Sequence, residues 1–237
     1  MPEETNRVLV DQVSDYLFTP SADADENLKK EGIPDERIHR VGNIMVDTLM
    51  RFRARASELK AWDRFKLKPK QYGLVTLHRP SNVDDPKKLS EIISALGEIA
   101  KQLPLIFPVH PRTKSRLEKY GWLSKTDSFE GLQLVEPLGY LENLSLMTEA
   151  GVALTDSGGI QEETTILGVP CLTLRANTER PITIHEGTNR LVEQTTEGIT
   201  QGFKAVRAAG NSKPHQPDLW DGKAAERIVR VLSGDKI

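Results

Sequence analysis

Cysteine is nearly absent: Cys171 is the one example in 237 residues. No intrachain disulfide can form, which fits a reducing compartment. Its place in the apolar run 169–174 makes Cys171 a small buried hydrophobe. Long apolar runs are missing too, and none approaches the roughly 20 residues that span a bilayer. The acidic start Met1-Pro2-Glu3-Glu4 lacks the charged and apolar regions of a secretory signal. A cytoplasmic protein with no membrane partner is expected. Net charge is −2 at pH 7, so no global basic field draws in nucleic acid, and an anionic ligand must be held locally. None of the five histidines has the i,i+4 spacing of a helical zinc pair, and no paired-cysteine motif exists, so no metal is expected.

What is present is an alternation of short apolar runs and amphipathic stretches. Val8, Leu9, Val13 and Leu17 recur at helical spacing, and an apolar run at 16–19 is ended by Pro20. Ser21 is placed to cap an acidic helix over 22–30, closed by Glu31-Gly32. A brief strand over 38–41 and a helix over 45–57 follow. The polar, basic stretch 60–70 is the best candidate for a linker. Strands are then expected at 73–77, 105–109, 132–135, 152–155, 171–174 and, more weakly, 190–192. Helices are expected at 86–102, 113–120, 141–149, 160–167, 197–209 and 223–232, with a surface loop over 209–217. Strand, helix, strand at this spacing predicts right-handed crossovers and a parallel α/β sheet, which binds ligands at the carboxyl ends of its strands.

The loops after those strands carry the chemistry. In Asp156-Ser157-Gly158-Gly159-Ile160-Gln161-Glu162-Glu163 an apolar strand runs into two glycines and a helix. Glycines let the backbone approach a phosphate, and free N–H groups at a helix start favour an anion. Ser157 adds a donor. Glu163, one turn in, can accept from ribose hydroxyls. A tight turn without a ligand is the competing interpretation. The segment is neither a P-loop nor a dinucleotide fingerprint. His78 and Arg79 follow another strand, where a histidine can exchange protons or donate to a phosphate oxygen. A loop histidine bonding local backbone is the alternative there. Arg180 can reach a diphosphate or pair with Glu179, and His110 is as readily structural as catalytic.

Together, Pro2-Glu3-Glu4-Thr5-Asn6-Arg7, Val41-Gly42-Asn43, Thr76-Leu77-His78-Arg79, Pro108-Val109-His110-Pro111-Arg112-Thr113, 156–163, Thr178-Glu179-Arg180-Pro181 and Gly187-Thr188-Asn189-Arg190 resemble the non-hydrolysing UDP-N-acetylglucosamine 2-epimerase family. The resemblance implies two Rossmann-like domains of glycosyltransferase-B type with the active site between them. Residues 1–68 would be the tail of the first domain plus a linker, and 69–237 the UDP-binding domain. It implies interconversion of UDP-N-acetylglucosamine and UDP-N-acetylmannosamine through elimination and re-addition of UDP, with no cofactor. Carried over by position, Ser157, Gly158, Gly159 and Glu163 match UDP-binding residues, and Arg180 a ligand contact. His78 matches the active-site histidine near the diphosphate, and Glu3 an acidic residue for proton transfer or sugar positioning. Leu138 and Asn143 stand where the family grips uracil. A homo-dimer is also implied.

The departures are that the family's glycine-rich first strand-turn-helix and further carboxylates have no counterpart here, and that Leu219-Trp220-Asp221-Gly222 replaces the usual Tyr-Gly-Asp-Gly. Weak UDP binding and little or no epimerisation are therefore expected of this chain alone. Alternatives are a non-catalytic UDP-sugar-binding remnant or partner subunit, a glycosyltransferase of the same architecture, and a hydrolysing variant.

Overall fold

The computed structural model describes residues 2–126, 128–209 and 216–234, with backbone alone for 2 and 3. The chain parts into two compact units, Met1–Arg51 with Gln216–Ile237, and Phe52–His215.

The first unit opens with α1 (Pro2–Val13), β1 (Leu17–Thr19), α2 (Ala22–Lys30), a 3-10 turn, β2 (Ile38–Arg40) and α3 (Ile44–Leu59), in which the unit boundary falls. Strands β1 and β2 pair in parallel over a small apolar cluster of Leu17, Leu28 and Ile33. Ser21 occupies the N-cap position of α2 but makes no side-chain cap bond, so that expectation holds in place and not in chemistry. Arg7 ties this unit together through carboxylates of Glu4, Asp11 and Glu31. At Gly42, φ is +89°, and a Cβ there would sit 2.0 Å from the Leu219 carbonyl oxygen, so only glycine fits.

The second unit holds α4 (Ala61–Arg64), β3 (Gly73–Thr76), α5 (Pro80–Val83), α6 (Pro86–Ala100), β4 (Leu105–Pro108), α7 (Pro111–Lys119), α8 (Leu123–Thr126), β5 (Leu132–Val135), α9 (Tyr140–Thr148), β6 (Val152–Thr155), α10 (Gly158–Leu167), β7 (Cys171–Thr173), α11 (Ile182–His185), β8 (Asn189–Leu191) and α12 (Thr196–Ala209). Its six strands are all parallel in the order β5-β4-β3-β6-β7-β8. The main core packs β3, β4, β6 and β7 side chains against the apolar faces of α6 and α12. The stretch 60–70 packs within this unit: Trp62 and Leu67 are buried, the Ala61 N–H donates to Ser145 Oγ, and Lys70 Nζ donates to the Thr148 carbonyl.

The final helix, α13 (Ala224–Leu232), belongs to the first unit. Asp47 caps it, accepting from the Ala224 and Ala225 amides at 3.0 and 2.7 Å, and the Trp220 indole donates to the Pro20 carbonyl at 2.9 Å. Residues 210–215 of the expected surface loop lie outside the described residues. Among the described residues, no helix is long and apolar enough to cross a membrane.

Candidate functional site

In the second unit the chain leaves β3 toward β4 and β5 on one side, and leaves β6 toward β7 and β8 on the other. The neighbours β3 and β6 therefore flank the switch point of the sheet, where crossovers diverge and a crevice forms beyond the strand ends. His78 follows β3, and Asp156 and Ser157 follow β6. The topology puts the two most informative loops side by side.

Asp156 fastens them. Its side chain is wholly buried, and its carboxylate accepts from the His78 amide at 3.1 Å, the Arg79 amide at 2.9 Å and Asn82 Nδ2 at 3.1 Å. The same Asn82 amide group donates to the Leu174 carbonyl, so the ends of β3, β6 and β7 share one polar knot. His78 Nδ1 lies 3.2 Å from Asp156 Oδ1, and the His78 ring packs 5.7 Å from that of His110. His110 Nδ1 accepts from the Arg112 amide at the start of α7, a local structural role.

Helix α10 begins at Gly158, two residues earlier than the sequence pattern indicates, so both glycines lie inside its first turn. The amides there have no intrahelical acceptor, and Ser157 at the N-cap contributes no side-chain cap bond. A Cβ added at Gly158 or Gly159 would meet nothing within 4 Å: the helix start faces open space. The far end closes at Gly168 in the left-handed region.

One turn in, Glu162 and Glu163 are both buried. Burial pushes the Glu163 carboxyl above its ordinary value; the Tyr140 hydroxyl, donating to Oε1 at 3.0 Å, offsets part of this, and the nearby Glu162 adds to it. Burial and the Glu163 charge raise the Tyr140 phenol in turn. Glu162 pairs with Arg180 Nε at 2.7 Å. Gln161 accepts from Thr178 Oγ1 at 2.6 Å and Asn189 Nδ2 at 3.1 Å, tying the loop that carries Arg180 to α10. Arg175 pairs with Glu179. Buried nitrogens Arg79 Nε and Arg175 Nη1 find no hydrogen-bond partner among the described residues, which leaves donor capacity unmet.

The structure thus brings His78, Ser157, Gly158, Gly159 and Glu163 into one polar region, with Arg180 joined to it through Glu162. Leu138 precedes α9 and Asn143 lies in its first turn, and Tyr140 between them reaches Glu163. Glu3 lies in α1 of the first unit, and its side chain falls outside the described residues. Asp156 and Gln161 stood inside the segment singled out from the sequence but without roles of their own, and Asn82 and Tyr140 were assigned none. The one available signal was a carboxylate directly ending an apolar strand, a position that buries it. Among the described residues no three His, Cys, Asp or Glu side chains group so as to hold a metal ion.

The family model for UDP-N-acetylglucosamine 2-epimerase matches residues 1–233. The UDP-N-acetylglucosamine 2-epimerase of Methanocaldococcus jannaschii is 42% identical over 242 residues, covering 100% of this chain and 65% of that protein. The UDP-2,3-diacetamido-2,3-dideoxy-D-glucuronate 2-epimerase of Pseudomonas aeruginosa is 38% identical, covering 98% of this chain and 64% of that protein. The crystal structure of the M. jannaschii enzyme in complex with UDP-GlcNAc and UDP matches with a TM-score of 0.89 at 41% identity, over 99% of this chain and 65% of that one. The chain therefore spans 64–65% of the length of these relatives. With the match running through almost every residue and the α/β fold shared, this chain belongs to the UDP-N-acetylglucosamine 2-epimerase family.

Proposed function

We propose that the second unit binds UDP-N-acetylglucosamine by its diphosphate, in the service of 2-epimerisation to UDP-N-acetylmannosamine. The observation that carries this is the start of α10: two glycines facing open space, uncapped amides, and a buried carboxylate one turn deeper. Peptide N–H groups and the positive end of the helix meet the diphosphate, with Ser157 as a further donor. Glu163, held by Tyr140, accepts from the ribose hydroxyls, and Leu138 and Asn143 at the head of α9 receive the uracil. Arg180 exchanges its bond to Glu162 for the ligand, and His78 faces the diphosphate as leaving group.

The reaction removes the C2 proton and breaks the anomeric C–O bond to expel UDP. UDP then adds back at C1 of the resulting 1,2-unsaturated sugar as a proton returns to C2 from the opposite face. Two faces need an acid and a base on opposite sides. Glu3 is the carboxylate that the family resemblance offers for either task, and one carboxylate cannot serve both faces, so exchange by these 237 residues alone is slow.

Calorimetry with UDP, followed by incubation with UDP-N-acetylglucosamine in deuterated water, tests the proposal. UDP binding with slow entry of deuterium at C2 is the expected result. Binding without any exchange would make this a sugar-nucleotide-binding chain without catalysis, and no UDP binding would remove the proposal altogether.

A further inference from the structure

We propose that Asp156 is a positioning residue for His78, fixing the ring hydrogen on Nδ1 and leaving Nε2 as the nitrogen that meets a diphosphate oxygen. The role of Nε2 rests on the sugar-nucleotide reading above; the tautomer does not.

Three donors from one short loop, the His78 and Arg79 amides and Asn82 Nδ2, converge on the Asp156 oxygens, and Asn82 is itself anchored to the Leu174 carbonyl. An ionised carboxylate accepts hydrogen bonds and donates none. The ring nitrogen facing it at 3.2 Å must therefore carry the hydrogen. Neutral imidazole in water favours the opposite tautomer, so the contact selects the less common form.

The His78 side chain is 39% exposed while Asp156 has none of its surface in solvent. One edge of the ring is thus pinned from below and another part remains accessible. In the neutral ring Nε2 offers a lone pair. Once protonated, it offers an N–H to a phosphate oxygen, with the Asp156 charge balancing the imidazolium. The neighbouring His110 is committed elsewhere, since its Nδ1 accepts from the Arg112 amide. The nearest guanidinium of the same loop, on Arg79, is turned toward Glu179 at 3.9 Å. Asp156 is thus the carboxylate placed to set the His78 tautomer.

A merely structural role, that of closing the 78–82 loop, would leave the tautomer indifferent. The test is long-range nitrogen–proton correlation on the ¹⁵N-labelled full chain, with His78 assigned by the signal lost in His78→Gln. The expected wild-type spectrum shows Nδ1 protonated and Nε2 bare. Asp156→Asn is expected to switch His78 to the Nε2–H form and to weaken UDP binding about tenfold, with a native backbone amide spectrum. Nε2–H in the wild type, or an unchanged tautomer in a natively folded Asp156→Asn, overturns the proposal. Should Asp156→Asn fail to fold, Asn82→Ala removes a carboxylate bond without touching the ring contact. Nδ1–H must then persist in both it and the wild type, and Nε2–H in either overturns the assignment. An Nδ1–H chain that binds no UDP removes the sugar-nucleotide reading while leaving the Asp156–His78 coupling intact.

Discussion

Helices α6 and α10 are buried in the same unit with opposite chemistry. The inner face of α6 is Leu89, Ile92, Ile93, Ala95, Leu96 and Ile99, all inaccessible to solvent. The hidden residues of α10 are Ile160, Gln161, Glu162, Glu163, Thr164 and Thr165. Their starts differ as well. Asp85 caps α6 by accepting from the Lys87 and Lys88 amides, while Ser157 leaves the first amides of α10 uncapped. Burying leucine stabilises a fold and burying a carboxylate costs it. Each carboxylate of α10 has a partner, Arg180 for Glu162 and Tyr140 for Glu163, which limits the cost without removing it. The contrast separates a helix that holds the unit together from one whose polar composition suits the ligand proposed above.

The largest expected effect tests the structural side. Leu96→Ala opens a cavity behind α6 and should cost about 3 kcal/mol in urea unfolding, leaving UDP affinity within about twofold. A large affinity loss would erase the contrast. Nearly as large, on the other helix, is Gly159→Val. Beyond its own turn of helix and chain neighbours, a Cβ there meets no atom within 4 Å. UDP affinity by calorimetry should fall about 100-fold, or about 2.7 kcal/mol, while the folding midpoint changes little.

Next comes Glu163→Gln, which should lower UDP affinity about tenfold yet stabilise the free protein at neutral pH. The sign follows from the raised carboxyl. With the native value above the unfolded one, the native state binds more protons in the interval between them. The group's stabilising contribution is complete below the ordinary value of 4.5 and is lost as pH rises through the raised native value. Glutamine abolishes that slope, and thermal melts across the interval should show it. The smallest pair sharpens the comparison of helix starts. Asp85→Ala should cost about 1 kcal/mol of stability with no change in UDP binding. Ser157→Ala should cost less than about 0.5 kcal/mol and weaken UDP a few-fold, because its side chain caps nothing in the free protein.

Much of the sheet was legible. The strands at 132–135 and 152–155 match the expected bounds, and those from Gly73, Leu105 and Cys171 end one residue early. Buried parallel strands read as short apolar runs flanked by turn residues, a signal that survives without context. Helices α4, α5, α8 and α11 were missed, since four residues span barely one turn and carry no period. The early start of α10 was hidden because glycine is a poor helix former. In the site, glycines and acids are the basis of the anion-binding turn proposed above, but Asp156 gave little warning of its bonds: its partners His78, Arg79 and Asn82 lie 74–78 positions away in sequence. The reagent-level assignment came from resemblance, since spacing alone cannot distinguish one diphosphate ligand from another.

The capping of α13 by Asp47 joins residues 177 positions apart. A ribosome releasing this polypeptide in order finishes the contiguous stretch 52–215 before the partner of Asp47 exists. The larger body can gather its apolar core during synthesis, whereas the smaller waits with Asp47 and the Pro20 carbonyl unmatched until the last turns emerge. Translation order is thus written into the placement of a single aspartate.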